Sequence, residues 1–319
     1  MSQEESVKPS NGLRDYVVAL LFSCAMTFSS FLSLFIALPL LVFSTKHKKK
    51  EVVLLFVIDA LVVICRAFYT MRGLNNYFFQ VLLSVYIPLS LLAAGVVWIY
   101  TSGKRVDSRL LISLLPSFIM IVVIATLLCA DRALFESIYN GYKDAFVPLL
   151  KDLTSGFGFT VDTELLFMVV ITLSAVLMFP ITVGASCVTL FLFEAPLHSR
   201  EGDWDEKLES IEINQNLIWI FIISLIAFLV SRFVSVPTIF FIASMSLMIS
   251  FLILYGVQGF SVLYTRLSRV MPNLKSTSLF FLLAFIGVII PGLNIVVLLG
   301  VPVLGILENF FDLKKRKEK

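Results

Sequence analysis

Two charged residues, Asp59 and Arg66, lie well inside a long apolar segment of the sequence. Seven residues separate them, so in a helix they share one face, roughly 10 Å apart along the axis. A charge in the hydrocarbon of a membrane costs at least about 2.5–3.5 kcal/mol, so both side chains are predicted to face the interior of a helical bundle, paired or wetted. The pair predicts a polar element of a substrate or ion pathway, with a third polar partner. A structural ion pair, or an Arg66 that extends outward from the end of its helix, is the alternative.

Two amide side chains join this candidate pathway. Gln258 is flanked by glycines in a late apolar segment, and Asn294 follows the break at Pro291-Gly292. An amide in such a place either bonds a neighbouring backbone or contacts a ligand. The sequence leaves both interpretations open.

A stripe of small residues lies in the first apolar segment. Ala19, Ser23 and Thr27 recur at every fourth position, which permits close approach of another helix. The stripe predicts helix docking. It serves either ordinary packing within the chain or a docking surface for another subunit.

The residue types needed for catalysis or metal binding are sparse in this sequence. The four cysteines lie far apart in apolar segments, and the two histidines, His47 and His198, fall between apolar segments. No nucleophile elbow, zinc-protease motif or phosphate-binding loop is present. We therefore predict no catalytic residues, no metal site and no cofactor, and expect that the protein is not an enzyme.

The composition identifies the class of protein. Of the 319 residues, 59% are hydrophobic and 15% charged, and 30 are Phe. Soluble proteins average about 25% charged residues, so this chain lacks the polar surface of a soluble globule. It is predicted to be a multi-pass membrane protein whose constant partner is membrane lipid. The net charge of +3 gives no reason to expect binding to nucleic acid.

Long apolar segments predict the helices. Six lie at residues 52–71, 77–100, 109–130, 165–193, 214–232 and 236–265, and longer ones at 16–43 and 279–307 fit one long helix or two short ones. Basic clusters favour the cytoplasmic side of a membrane. If each of these two end segments crossed only once, the cluster Lys314–Lys317 would lie on the other side of the membrane from Lys46–Lys50. Hairpins put every basic loop on one side. The prediction is an all-α, polytopic transmembrane helical bundle of about 8–10 segments with helical hairpins at both ends.

This topology gives a domain plan. Residues 1–15 form a cytoplasmic tail, residues 16–313 a single transmembrane helical domain, and residues 314–319 a basic cytoplasmic tail. Residues 131–163 lie outside, and the acidic loop 194–213 lies inside with a short helix capped by Asp203 and Glu206. Both termini are then cytoplasmic.

The outer region 131–163 has a helical apolar period. Its apolar residues recur three or four positions apart, at Leu134, Phe135, Ile138, Tyr139, Tyr142 and Phe146. The pattern predicts an amphipathic helix. It either lies at the membrane surface or forms a lid over a ligand cavity, hinged at Gly156 and Gly158.

Two late segments carry a resemblance to a known family. The stretch from Leu252 to Val262 contains Tyr255, Gln258 and Gly259, and the stretch from Leu304 to Arg316 ends an apolar helix in acidic, aromatic and basic residues. Over about residues 14–316 the chain resembles the YybS-like family of predicted bacterial membrane proteins, a domain of unknown function. That family is distantly similar to the substrate-binding subunits of energy-coupling-factor transporters, whose first helix docks the coupling subunit through small residues.

These observations predict an inner (plasma) membrane protein with a transport-related role, the solute-binding membrane subunit of a multi-subunit importer. Its partners would be other membrane subunits or an ATPase module, since the chain has no ATPase motif of its own. The alternative is a membrane scaffold or assembly protein of the cell envelope without transport activity. In that role the acidic loop and the basic tail would hold partners or anionic lipid.

Overall fold

The structure, a computed structural model, describes residues 12–29, 31–70, 72, 77–156, 162–198, 208–234, 237–271, 275–289, 293–311 and 313–314. The chain divides into two compact units. The first unit is Met1–Gly103 with Ile112–Ser137, and the second is Lys104–Leu111 with Ile138–Lys319.

Over these ranges the chain forms α-helices, one short 3-10 helix and no strand, which confirms the all-α prediction. The helices are α1 Gly12–Phe28, α2 Ala37–Ser44, α3 Lys49–Thr70, α4 Tyr77–Tyr100, α5 Val106–Ala130, α6 Arg132–Gly156, α7 Thr163–His198, α8 Leu217–Phe233, α9 Thr238–Val270, α10 Ser276–Ile289 and α11 Leu293–Phe311.

In the part of the chain that the structure describes, six helical segments are long and apolar enough to cross a membrane: Lys49–Thr70, Val81–Tyr100, Val106–Ala130, Thr163–Phe191, Thr238–Val270 and Asn294–Phe311. Three shorter apolar segments accompany them: Leu32–Ser44, Leu217–Phe233 and Ser276–Gly287. A crossing needs about 20 residues, so the six long helices make this an integral, multi-pass membrane protein.

The first apolar segment folds back on itself, as predicted. Helix α1 ends at Phe28, and a 3-10 helix at Leu32–Phe35 leads into α2. Ala19 of α1 packs with Leu40 and Phe43 of α2. The 13 residues of Leu32–Ser44 rise only roughly 20 Å, against a hydrocarbon core of about 30 Å, so the second half is too short to cross.

The last apolar segment is also divided into two helices. The hairpin predicted for 279–307 corresponds to α10 and α11, which pack against each other, and the break itself lies outside the described residues. Helix α11 also packs along α9. The apolar core of the second unit is formed by Leu208, Ile211, Phe260, Tyr264 and Leu279.

Helix α6 covers most of the region 131–163, so a helix is present where the apolar period predicts one. Asp131 caps it, because its Oδ1 accepts a hydrogen bond from the Leu134 N–H at 3.0 Å. Helix α7 continues to His198, into the predicted acidic loop. Asp203, Glu206 and Gly158 lie outside the described residues.

Candidate functional site

Asp59 is a buried carboxyl in the middle of a membrane-spanning helix. It lies in α3 and is 1% exposed. The Ser23 hydroxyl of α1 donates a hydrogen bond to Asp59 Oδ2 at 3.0 Å. Asp59 Oδ1 is buried and accepts no hydrogen bond from any described residue. Ser23 is therefore a polar partner of Asp59, and one carboxyl oxygen is left over.

Arg66 does not pair with Asp59. Its guanidinium carbon lies 5.6 Å from the centre of the Phe28 ring, within the range of a cation–π contact. The structural ion pair considered as an alternative is therefore wrong. Asp59 and Arg66 do not pair because seven residues of helix separate them by roughly 10 Å of rise.

The small-residue stripe faces the interior of its own unit. Ala19, Ser23 and Thr27 are all buried. Ala19 packs against α2 and the start of α3, and Ser23 bonds Asp59. The Thr27 hydroxyl donates to the Cys24 carbonyl at 2.6 Å. The stripe thus serves packing within the chain, and the interpretation as a docking surface for another subunit is contradicted by its burial.

Gln258 is fully buried and binds a neighbouring backbone, the first of its two predicted roles. Its Oε1 accepts from the Ile213 N–H at 3.0 Å, and its Nε2 donates to Asn309 Oδ1 at 3.2 Å. The Tyr255 hydroxyl lies beside the Asn309 side chain but outside hydrogen-bonding geometry. These contacts hold the segment before α8 against the end of α11.

Asn294 lies at the other end of α11 from the contacts of Gln258. It lies in the first turn of α11, where its Oδ1 accepts from the Ile295 N–H at 2.8 Å. Fifteen residues separate it from Asn309 on the same helix, which is roughly 22 Å of rise. The structure therefore does not bring Asn294 together with Gln258. Asp59 and Arg66 lie in the first unit, and both amides in the second.

Helices α9 and α11 touch backbone to backbone at two glycines. A Cβ added to Gly259 would overlap the Val301 carbonyl oxygen and lie 2.9 Å from the Gly305 nitrogen. A Cβ on Gly305 would overlap the Tyr255 carbonyl oxygen and lie 2.8 Å from the Gly259 nitrogen. Small residues permit such close contact in membranes. Sequence reasoning assigned no packing role to these glycines.

His47 forms a polar cluster that sequence reasoning missed. Its Nδ1 lies 2.8 Å from Glu51 Oε2, and its Nε2 lies 3.5 Å from Asp15 Oδ2. The ring stacks on Phe43 at 3.9 Å between centroids. The four-residue spacing to Glu51 was the available signal. The contact with Asp15 puts the start of α1 beside the basic segment that precedes α3.

Lys314 forms a second missed cluster, at the end of α11. Its Nζ donates to the carbonyls of Glu209 at 2.9 Å and Ile211 at 2.5 Å. Its backbone N–H donates to the buried Glu308 carboxylate at 3.2 Å. Burial lowers the pKa of the Lys314 ammonium, while Glu308, Glu212 and Glu209 act in the opposite direction. Lys314 therefore ties the chain end to the segment that precedes α8.

Comparison with family models, curated proteins and solved structures finds no match to this chain. The YybS-like resemblance therefore stays a prediction. Within the described residues, no group of three His, Cys, Asp or Glu side chains could hold a metal ion. The arrangement with the clearest chemical capacity is the Asp59 carboxyl with its one unused oxygen.

Proposed function

We propose that this integral membrane protein is transport-related, the solute-binding subunit of an importer, and that Asp59 and Ser23 form the polar element of its solute pathway. One observation carries the proposal. The Asp59 carboxyl is buried inside a helical bundle, Ser23 binds one of its oxygens, and no described residue donates to the other.

The Asp59 carboxyl has hydrogen-bonding capacity that the described residues leave unfilled. A carboxylate accepts through two oxygens, and a buried acceptor without a donor costs about 1–3 kcal/mol, more if it is charged. Ionisable groups inside membrane segments are rare, and they mark substrate or ion pathways. A solute with an N–H, O–H or cationic group would supply the missing donor. Arg66 does not compete for this role, because its guanidinium lies over the Phe28 ring.

Native mass spectrometry of the protein, extracted with its own lipids and small molecules, tests the proposal. Asp59→Asn keeps the shape of the side chain and the acceptor for Ser23 but removes the charge. A hydrogen bond to a charged group contributes about 1.5–3 kcal/mol, so affinity for the co-purified solute should fall about 10-fold to 150-fold. Asp144→Asn is the matched control, because Asp144 is exposed on α6.

The proposal holds if the wild type and the Asp144 variant carry a small molecule that the Asp59 variant has lost. Equal occupancy in all three proteins, or no small molecule in any, contradicts it. Proteins that co-purify separate the two candidate roles. An ATPase module with its coupling subunit supports import, whereas a cell-wall or division complex supports the scaffold or assembly role.

A further inference from the structure

We infer that the second half of α6 lies on the lipid bilayer, with an apolar stripe formed by Tyr139, Tyr142, Phe146, Leu149 and Leu153 turned toward the acyl chains. At 100° per residue these five positions fall within an arc of about 80°. They form one continuous face of the helix.

The outer part of this stripe has no cover within its unit. Phe146 is 43% exposed, and Leu149 and Leu153 are each 58% exposed. The exposed charged residues Asp144 and Lys151 lie on the opposite side of the helix. An apolar face this narrow, backed by charges, is typical of a helix lying in a membrane interface.

Contacts with α7 fix where the stripe begins. The Tyr139 and Phe167 rings meet edge to face at 5.4 Å, and Lys143 Nζ lies 3.0 Å from Glu164 Oε1. Residues 144–156 therefore extend roughly 20 Å beyond the contact with α7. Glu164 and Phe167 lie in the first two turns of a helix long enough to cross the membrane, so α6 joins α7 close to one end of that span.

The first turns of α7 also expose apolar side chains. Leu165, Met168 and Val169 are each more than half exposed, in the first turns of a helix long enough to cross the membrane. As part of a membrane-spanning helix, these side chains face lipid. Because α6 is attached to α7 at this end, its exposed stripe lies beside the same bilayer, and this favours lipid over a protein partner or a lid. The inference does not depend on the solute pathway at Asp59.

Nitroxide labels test the orientation. Leu149→Cys and Leu153→Cys place labels on the stripe, and Asp144→Cys and Lys151→Cys place matched labels on the opposite face. The background replaces the four native cysteines, and the protein is reconstituted in phosphatidylcholine vesicles. Collisions with oxygen should exceed those with a water-soluble nickel chelate at Leu149 and Leu153. The order should reverse at Asp144 and Lys151.

Two outcomes overturn the inference. If the nickel chelate collides equally often with the labels at all four sites, water surrounds the helix on both faces. Low access of both reagents at Leu149 and Leu153 means that protein covers the stripe. If the cysteine-free background does not fold, Leu149→Trp and Asp144→Trp in the native chain replace it. Brominated phosphatidylcholine must then quench the added tryptophan at Leu149 and spare that at Asp144, and equal quenching overturns the inference.

Discussion

Replacing Gly259 with alanine should separate α9 from α11. The new methyl group would overlap the Val301 carbonyl oxygen and lie 2.7 Å from the Val301 carbonyl carbon. An ordinary contact between carbon atoms is about 3.5–4.0 Å, so the two backbones must move apart by at least about 1 Å. Neither obstacle is a flexible side chain, so the strain has no local outlet.

The size of the effect follows from two opposing terms. Alanine gains about 1 kcal/mol of helix propensity over glycine. Overpacking costs about 1–3 kcal/mol, and the backbone-to-backbone clash puts this case at or above the upper end. A gap of about 1 Å also forfeits up to half of each dispersion contact along the interface. We expect a net loss of about 2 kcal/mol or more in the free energy of unfolding.

Gly256→Ala is the matched control. It lies in the same helix and faces the same partner, but its added Cβ would meet only the Pro302 Cγ, at an ordinary 3.6 Å. The assay is the loss of helical circular dichroism on heating in detergent. Gly259→Ala should melt several degrees below wild type, and Gly256→Ala should melt at or above it. If the two variants melt together, the close contact of α9 with α11 is refuted.

Two further predictions concern the ties outside the spans. Lys314→Ala should raise hydrogen exchange in residues 208–215 and lower the free energy of unfolding by about 1–3 kcal/mol. Lys275→Ala, at an exposed lysine, should change neither quantity. Unchanged exchange in the Lys314 variant would show that Lys314 does not hold residues 208–215 in place. The hydrogen bond to Glu164 raises the pKa of Lys143 above its ordinary value of 10.5. The small stabilisation from this ion pair is therefore complete below pH 10.5 and is lost as the pH rises through the higher pKa of the folded state. Glu164→Gln should abolish that alkaline step in a melting-temperature profile, and a step of the same size in the variant would contradict the assignment.

The helices were predictable because length and charge are signals carried along the chain. An apolar segment long enough for two short helices, with a break at Pro291-Gly292 and a basic cluster after it, predicts a hairpin, and α10 and α11 follow. The basic cluster at the end of the first segment likewise predicts a return of the chain. The contact between Asp15 and His47 agrees with that return in the first unit.

The contacts at the candidate site were less predictable, because they join distant parts of the chain. The small-residue period of α1 placed Ser23 on a packing face, but nothing in the sequence said that this face meets Asp59, 36 residues later. The glycine contact likewise depends on the register of two helices. Gly259 opposes Gly305 only because α11 is set along α9 at one particular offset.

The buried carboxyl of Asp59 and the buried amide of Gln258 are held differently, and this contrast is the strongest reason to look for function at Asp59. Apolar burial drives helix association weakly in lipid, so close packing and hydrogen bonds must hold such helices together. In the second unit Gln258 bonds on both sides and the glycines bring α9 and α11 into backbone contact. In the first unit the most buried charge-bearing side chain keeps one oxygen without a donor. A serine hydroxyl alone offsets only part of the cost of that carboxyl, and asparagine would fill the space with less penalty. These contacts support the proposal that the acid binds a solute.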